Sequence, residues 1–581
     1  MKKTVDVLVV GTGGAGCRAA VAAADRGVSV LLVSKKEIGH SGATSYPVAE
    51  MAGYNAGDIS VPCDVQKHFN DIMKAGQGMA DEKLAAIVAA RAPETIDELE
   101  AWGVPFETED DGYYIFKSCF SNYPRTHVIK GHGEPITHAL EKQIERRRNI
   151  EIWTDTTIMG LHVRDGKCAG AYGYRDGELL HIQAKAVVLT TGGSGQAFER
   201  NMNPMDVTGS GYAMAYEAGA ELVNMEFMQI GMGFSYPVVN IFNGYIWEGR
   251  PKLSDREGNE IFSAVLPEGI TSDDVMHEHR KHFPFSSSDI SKYLEVAVQT
   301  AIKEGRGTKN RGIRADLTHM TDAYIASLPD DCGIHHMWGI ARDFMKSRNV
   351  DLLKDEVEVA VYAHAVNGGV KISPDAMSTL PGLFAAGECA GGPHGADRLG
   401  GNMMVTCQVF GKIAGSSAAE YAVSQGGSAA GEEAVSQWCS AAGEKAGSEN
   451  GSESAGRDLD VREMTSDSQY QKIIQLLYKD AETKALQKRL RIAAQDHLLV
   501  GRNEEGLTSL LKTVDDLKEK LMTAPEGQTP NIANVDLYHM LTTVGIMADS
   551  ALKRKESRGS HHRSDYPDMD PRFGSPITIK K

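Results

Sequence analysis

The sequence predicts an α/β fold built around a parallel sheet, and three separate glycine turns predict it. Each follows a short, strongly apolar run of the kind that suits a strand covered on both faces. Residues 5–10 (VDVLVV) run into Gly11-Thr12-Gly13-Gly14-Ala15-Gly16, residues 186–191 (AVVLTT) into Gly192-Gly193-Ser194-Gly195, and residues 382–386 (GLFAA) into Gly387-Glu388. The first turn is the most explicit, because an alanine-rich helical run and a second apolar run, 28–33 (VSVLLV), follow it within thirty residues. In such a unit Gly11 permits the tight turn. Gly13 leaves room for a pyrophosphate to approach the backbone, and Gly16 lets the helix lie close on the sheet with its N-terminus facing the phosphates. An acidic residue usually follows about twenty residues on to hold a ribose. Here the second strand ends in Ser34-Lys35-Lys36, which weakens the case for a nicotinamide dinucleotide.

Composition bounds the remaining possibilities. At 581 residues the chain is long enough for two to four domains, and 41% hydrophobic content is ample for their cores. A formal charge of −17 argues against nucleic acid or anionic membrane as partners, since their phosphates would be repelled. The eight cysteines stand at 17, 63, 119, 168, 332, 389, 407 and 439 with no C-x-x-C and no metal-ligand spacing. No metal, iron–sulfur cluster or haem of the chain's own is therefore expected. The first strand pattern begins by Val5 with no apolar signal region before it, and no run approaches a membrane span, so a cytoplasmic protein without direct membrane insertion is expected.

Taken in order, the small-residue loop 39–45 (GHSGATS) suits close approach to a ligand, and 64–102 reads as helices. An aromatic and basic stretch, 113–127, and the segment 131–137 lead into another helix. The short strand patterns 151–153 and 160–163 read as a small sheet inserted before the main sheet resumes at 186. Thr208-Gly209-Ser210-Gly211 opens a helix. Residues 236–351 change to short apolar pieces, turns and charged stretches, and read as a separate inserted domain. The stretch 424–457, rich in Ser, Gly, Ala and Glu, reads as a surface linker. Helical patterns dominate 466–554, and a tail that begins basic and becomes Pro/Asp-rich ends the chain.

Together these motifs resemble the flavoprotein subunit family of fumarate reductase and succinate dehydrogenase, which also contains L-aspartate oxidase. The resemblance spans nearly the whole chain. It rests on the turn at Gly11, the Ser34-Lys35 pair, Thr191-Gly192-Gly193, Glu304-Gly305-Arg306-Gly307, His364-Ala365-Val366-Asn367-Gly368-Gly369, Gly387-Glu388, residues 394–402 (HGADRLGGN) and Glu556-Ser557-Arg558-Gly559. It implies a discontinuous Rossmann-type FAD-binding domain (1–235 and 352–423), an inserted α+β capping domain (236–351), the linker, and a C-terminal helical domain with its tail (458–581). It further implies that Gly11, Gly13, Gly14, Gly16, Ser34, Lys35, Thr44, Thr191, Gly192, Glu388 and Asn402 bind FAD. His364 and Arg398 match the pair that holds a substrate carboxylate. A planar guanidinium suits that task.

The departures from the family pattern bear on the substrate. Fumarate-reducing members carry a histidine in Gln-Phe-His-Pro-Thr, where this chain has Gln229-Ile230-Gly231-Met232-Gly233. They also carry a proton-donating arginine about thirteen residues before Glu-Gly-Arg-Gly. That count back from Glu304 reaches Ser291, with Lys292 adjacent. Lys292 is a candidate replacement acid, a solvated surface lysine being the competing reading. Glu248, in Trp247-Glu248-Gly249-Arg250, resembles the family's Thr-Glu-Gly and is either a proton relay or an ion-pair partner. With one set of anchors kept, the expected substrate has one carboxylate or carbonyl and a less charged far end. Covalent flavin attachment uses a histidine in Ser-His-Thr; here Gly42 follows Ser41 and His40 precedes it, so non-covalent FAD is expected. The leading expectation is an FAD-dependent reductase or dehydrogenase acting across a C=C/C–C bond, with electrons exchanged with a separate iron–sulfur or other electron-transfer subunit. The alternatives are an amino-acid oxidase like L-aspartate oxidase, and an FAD relay subunit whose substrate site is vestigial.

Overall fold

A strand that is apolar on both faces must be covered on both, and the strand Lys2–Val10 lies inside a seven-stranded sheet with Val7, Leu8 and Val9 fully buried. The computed structural model describes residues 1–46, 52–57, 63–109, 112–240, 244–330, 332–426 and 467–581. From residue 427 onward the expected linker 424–457 lies outside the described residues, as do 458–466.

The parallel part of the sheet runs Ile150–Trp153, Val30–Val33, Lys2–Val10, Glu178–Leu189, Leu383–Ala385. In chain order this is 3-2-1-4-5, and the order reverses between Lys2–Val10 and Glu178–Leu189. Ligands bind at that kind of switch point, outside the carboxyl ends of the strands. The strand Glu178–Leu189 is long because it serves two neighbours. Its first half pairs antiparallel with Lys167–Arg175, which pairs in turn with Thr157–Arg164, and its last three residues pair with Leu383–Ala385. The strands around 151–163 therefore extend the main sheet and form no separate small sheet.

The helix Gly14–Ala24 is buried along its whole length, between the sheet and the long helix Asn402–Ser424. Alanine and glycine make this possible by letting backbones approach. A Cβ at Gly16 would fall on the Gly11 carbonyl oxygen, and one at Gly411 would stand 2.8 Å from the Ala15 carbonyl oxygen. At Gly415 it would fall on the Ala19 carbonyl.

A second sheet, Met228–Tyr236, Val357–Val366, Ile313–Asp316, Lys252–Ser254, is antiparallel throughout. Its two longest strands, Met228–Tyr236 and Val357–Val366, lie in sequence on either side of the two shorter ones. Past the undescribed stretch come the helices Ser468–Leu477, Thr483–Ala494, Glu504–Thr523 and Ile532–Lys553. Although the following segment reads as a basic tail, it is interior: Glu556, Ser560, His561 and Arg563 are all fully buried. Charge pairing permits this. Arg554 Nε meets Glu226 Oε1 at 2.6 Å, and Glu556 Oε1 takes bonds from Arg554 Nη1 and Arg558 Nε at 2.8 Å each.

Two glycines separate steric need from conformational need. Gly16→Ala is expected to cost at least about 3 kcal/mol in denaturant unfolding, since the obstruction is backbone. Gly27→Ala, at φ +80° with nothing within 4 Å of its Cβ, is expected to cost only about 1–2 kcal/mol, the left-handed penalty.

Candidate active site

Strand ends create the site. Val10-Gly11, Val33-Ser34, Thr190-Thr191 and Ala386-Gly387 all open into one cavity, which runs on to His364 and Arg398. At the first turn Gly11 takes φ +113°, and a Cβ there would stand 2.9 Å from the Thr190 carbonyl carbon. Gly13 has only Thr44 Oγ1, 3.7 Å away, near the place of a Cβ, so its backbone is open toward the cavity. Gly13 is also the N-cap of the helix and offers no side chain to its first amides. Of these, Gly14 N donates to Thr44 Oγ1 at 3.0 Å. That is how a helix terminus is left available for an anion.

Around the turn, Lys35 is held by Asp536 at 2.7 Å, and Asp206 Oδ2 accepts from Ser41 Oγ (2.7 Å) and Gly42 N (2.9 Å). Asp206 Oδ1, buried on the cavity wall, has no hydrogen-bond partner among the described residues. A bare-backbone cradle, a helix end whose N-cap residue brings no side chain and an orphaned acceptor fit a dinucleotide with phosphates and hydroxyls. Gly11, Gly13, Gly14, Ser34, Lys35, Thr44, Thr191, Gly192 and Glu388 all line the cavity. Two expected contacts do not. Gly16 lies beneath the turn, and Asn402 turns its Oδ1 to Asn55 Nδ2 (2.7 Å) and His68 Nε2 (3.0 Å), a buried network behind the wall.

At the other end, Arg398 is clamped. Its Nε donates to Gln229 Oε1 at 3.0 Å while Gln229 Nε2 donates back to the Arg398 carbonyl at 3.2 Å, and Nη1 donates to the Leu399 carbonyl at 3.1 Å. Nη2 keeps no partner among the described residues. His364 faces the same space with neither ring nitrogen bonded among the described residues, its carbonyl accepting from Asn203 Nδ2 at 2.8 Å. Burial, with Arg398 nearby, drives the His364 imidazolium down to about 3, so the ring is neutral. Burial lowers Arg398 only to about 10, so it stays charged. Glu388 Oε1 accepts from Val366 N at 2.9 Å, and burial pushes the carboxyl up to about 7. Gln229 and Asp206 carry no role in the sequence reading. The signal for Gln229 was its place in the stretch that departs from Gln-Phe-His-Pro-Thr.

The two remaining candidates are placed elsewhere. Lys292 Nζ donates to the Ser287 carbonyl at 3.3 Å and lies 5.5 Å from the Tyr293 ring centroid. Glu248 Oε2 accepts from Ile334 N at 2.8 Å, capping the helix Ile334–Lys346. Neither lines the cavity.

Residues 6–404 match the FAD binding domain family, and residues 487–573 the fumarate reductase flavoprotein C-terminal family. The chain belongs to the fumarate reductase and succinate dehydrogenase flavoproteins. It is an FAD-dependent oxidoreductase acting on CH–CH groups, as its motifs lead one to expect. The fold is likewise the expected one, an α/β FAD-binding body with a helical C-terminal domain. One subunit of the fumarate reductase (CoM/CoB) of Methanothermobacter marburgensis is 31% identical, over 99% of this chain and 97% of its own. The fumarate reductase flavoprotein subunit of Escherichia coli is 26% identical over 96% and 88%. The solved structure of Mycobacterium smegmatis Sdh1 in complex with UQ1 superposes with a TM-score of 0.76 at 28% identity, covering 100% of this chain and 94% of that one.

The carboxyl of Glu388 gives this family site a pH signature. Its pKa is raised from 4.5 to about 7, so its contribution to stability is full below 4.5 and is lost as pH rises through 7. Denaturant unfolding of flavin-free wild type and Glu388→Gln is expected to show the wild type losing on the order of 1–3 kcal/mol relative to the variant between pH 5 and 8.

Proposed function

We propose that this flavoprotein reduces, or in reverse forms, a carbon–carbon double bond beside a single carboxylate, exchanging electrons with a separate redox protein. The observation that carries the reading is the clamped Arg398 with Nη2 unpartnered beside an unbonded, neutral His364, at the far end of the cavity from the glycine turn. A guanidinium fixed at Nε can take a carboxylate without losing side-chain freedom, and the neutral imidazole adds a donor. FAD, when bound, supplies the hydride and stores the electron pair. Gly11, Gly13, Gly14, Ser34, Lys35, Thr44, Thr191, Gly192 and Glu388 would hold it. Non-covalent binding is supported by His40 being exposed and off the cavity wall.

The number of charges supports one carboxylate. Among the described residues, Lys35 and Arg398 are the lysine and arginine on the wall, and Lys35, at the nucleotide end, is already paired with Asp536. A separate electron-transfer subunit, iron–sulfur or other, is supported by the relatives being named as subunits, and by the absence among the described residues of any His/Cys/Asp/Glu group able to hold a metal. No helix among the described residues is long and apolar enough to cross a membrane. The cysteines described are all free thiols, which suits a reducing cytoplasm. A second reading, an FAD relay with an idle substrate site, is favoured by Lys292 and Glu248 both lying off the cavity wall.

Turnover separates the two. With reduced viologen as donor, the FAD-loaded chain is expected to reduce α,β-unsaturated monocarboxylates. Arg398→Met is expected to lower kcat/KM about 100-fold or more while the visible flavin spectrum persists. Unchanged kcat/KM in that variant removes the carboxylate anchor. No turnover of any unsaturated acid favours the relay, and peroxide from amino acids favours an oxidase.

A further inference from the structure

At the nucleotide end of the cavity the loop 39–45 is wedged between two helix starts. On one side Gly14 N donates to Thr44 Oγ1 at 3.0 Å. On the other, the helix Glu134–Glu145 begins so close that a Cβ at its N-cap, Gly133, would fall on the Thr44 carbonyl oxygen. A Cβ at Gly39 would stand 4.0 Å from Thr137 Oγ1 in the same helix. This approach brings His132, the residue before Gly133, onto the cavity wall, across Thr44 from the glycine turn. No motif assigns His132 a role. Its backbone is left-handed, at φ +62°, which a side chain bears at a cost. No polar contact offsets that cost, since the half-buried residue's ring has no hydrogen bond or ion pair among the described residues. Glu134, its nearest carboxylate along the chain, is exposed and lies 3.7 Å from His138 Nε2. An imidazole keeps at least one N–H donor in either tautomer, and here that residue borders a turn shaped for phosphate.

We propose that His132 is a cofactor-binding residue whose ring N–H donates to a phosphate oxygen of FAD. The dinucleotide is then gripped from both sides of Thr44, by the start of the helix Gly14–Ala24 and by the imidazole just before the helix Glu134–Glu145. The N-caps of both helices, Gly13 and Gly133, bring no side chain to the first amides, which suits an anion held between them. Lys35, at this end of the wall, is already paired with Asp536 at 2.7 Å, so a further donor helps to answer the two charges of a pyrophosphate. The assignment concerns the nucleotide and does not depend on which acid the far end takes.

The test titrates the flavin-free full chain by calorimetry with FAD, with ADP, which carries a pyrophosphate, and with riboflavin, which carries no phosphate. His132→Gly removes the ring and relieves the left-handed backbone together. In this variant FAD and ADP are expected to bind about 10-fold or more weaker, and riboflavin as in wild type. The denaturant midpoint of the flavin-free variant is expected to be no lower than that of wild type, a combination that a merely structural histidine would not give. His132→Asn keeps an N–H and tolerates the same backbone, and is expected to hold FAD and ADP within about threefold of wild type. FAD and ADP bound by His132→Gly as tightly as by wild type overturns the proposal. Riboflavin weakened as much as FAD also overturns it, placing the ring at the flavin end. So does a lowered midpoint with all three ligands weakened alike, which makes His132 structural.

Discussion

The structure depends on how closely three backbones approach one another at the first glycine turn. The helix Gly14–Ala24 lies so near the end of its own strand that the Gly11 carbonyl oxygen occupies the place of a Cβ at Gly16. On its other side the helix Asn402–Ser424 comes equally near through Gly411 and Gly415. At each of these glycines the nearest contact is a backbone carbonyl oxygen, so there is little side-chain freedom to absorb a change. One consequence reaches far along the sequence. The close seat of the second helix fixes its N-terminus, and with it the preceding loop that carries Arg398.

That loop is held from several sides. Gln229 grips Arg398 by side chain and carbonyl together, which ties the loop to the strand Met228–Tyr236. Behind it passes the C-terminal segment. Ser560 Oγ donates to the Ala396 carbonyl at 3.1 Å, and Gly559, at φ +52°, lies against Ala396, where a Cβ would stand 2.8 Å from its backbone. The Gly559 carbonyl in turn accepts from Ser287 N at 2.7 Å, which brings the segment around Ser287 to the same place. A segment so placed must be buried, and its charges must be matched. Arg554, Glu226, Glu556 and Arg558 provide the match. Such a cluster contributes little net stability, because desolvation offsets the attraction, but breaking one member leaves a buried charge uncompensated. An arrangement of the loop that separated these groups would leave a buried charge unpaired.

Much of this was legible in the sequence wherever a residue type answers a local backbone demand. Gly11 and Gly16 could be assigned their separate tasks because a strand, a turn and a helix surround them at fixed spacing. His364, Arg398 and Glu388 could be placed together only through motif resemblance, since their spacing along the chain says nothing of distance. What could not be read were interactions settled by tertiary partners. The hairpin Thr157–Arg175 looked like a separate sheet because its pairing partner, Glu178–Leu189, serves both an antiparallel and a parallel neighbour. The segment after residue 554 reads only as a basic tail because charge patterning along the sequence does not reveal a buried counter-charge at Glu226. Asn402 stands in a motif associated with the cofactor, yet its oxygen is claimed by Asn55 and His68. Counting back from Glu304 reaches Ser291; its neighbour Lys292 stands just before the helix Tyr293–Lys303, and its ammonium donates to the Ser287 carbonyl.

Electrostatics then limits what the cavity can accept. Glu388 on the wall and Asp397 just behind it already resist ionisation, burial raising each carboxyl to about 7. Asp206 Oδ1 stands unpartnered on the same wall. Against these the substrate end offers one guanidinium. An incoming carboxylate can be matched by Arg398 and by a His364 ring that burial keeps neutral, and the charge count is then complete. A second carboxylate would have to lie among groups that themselves take up protons to avoid negative charge. The penalty for that placement runs to several kcal/mol per ion even after relaxation. The reading of a single carboxylate at Arg398 thus rests on charge: the clamp from Gln229 fixes one cation, and the buried carboxyls beside it supply no second.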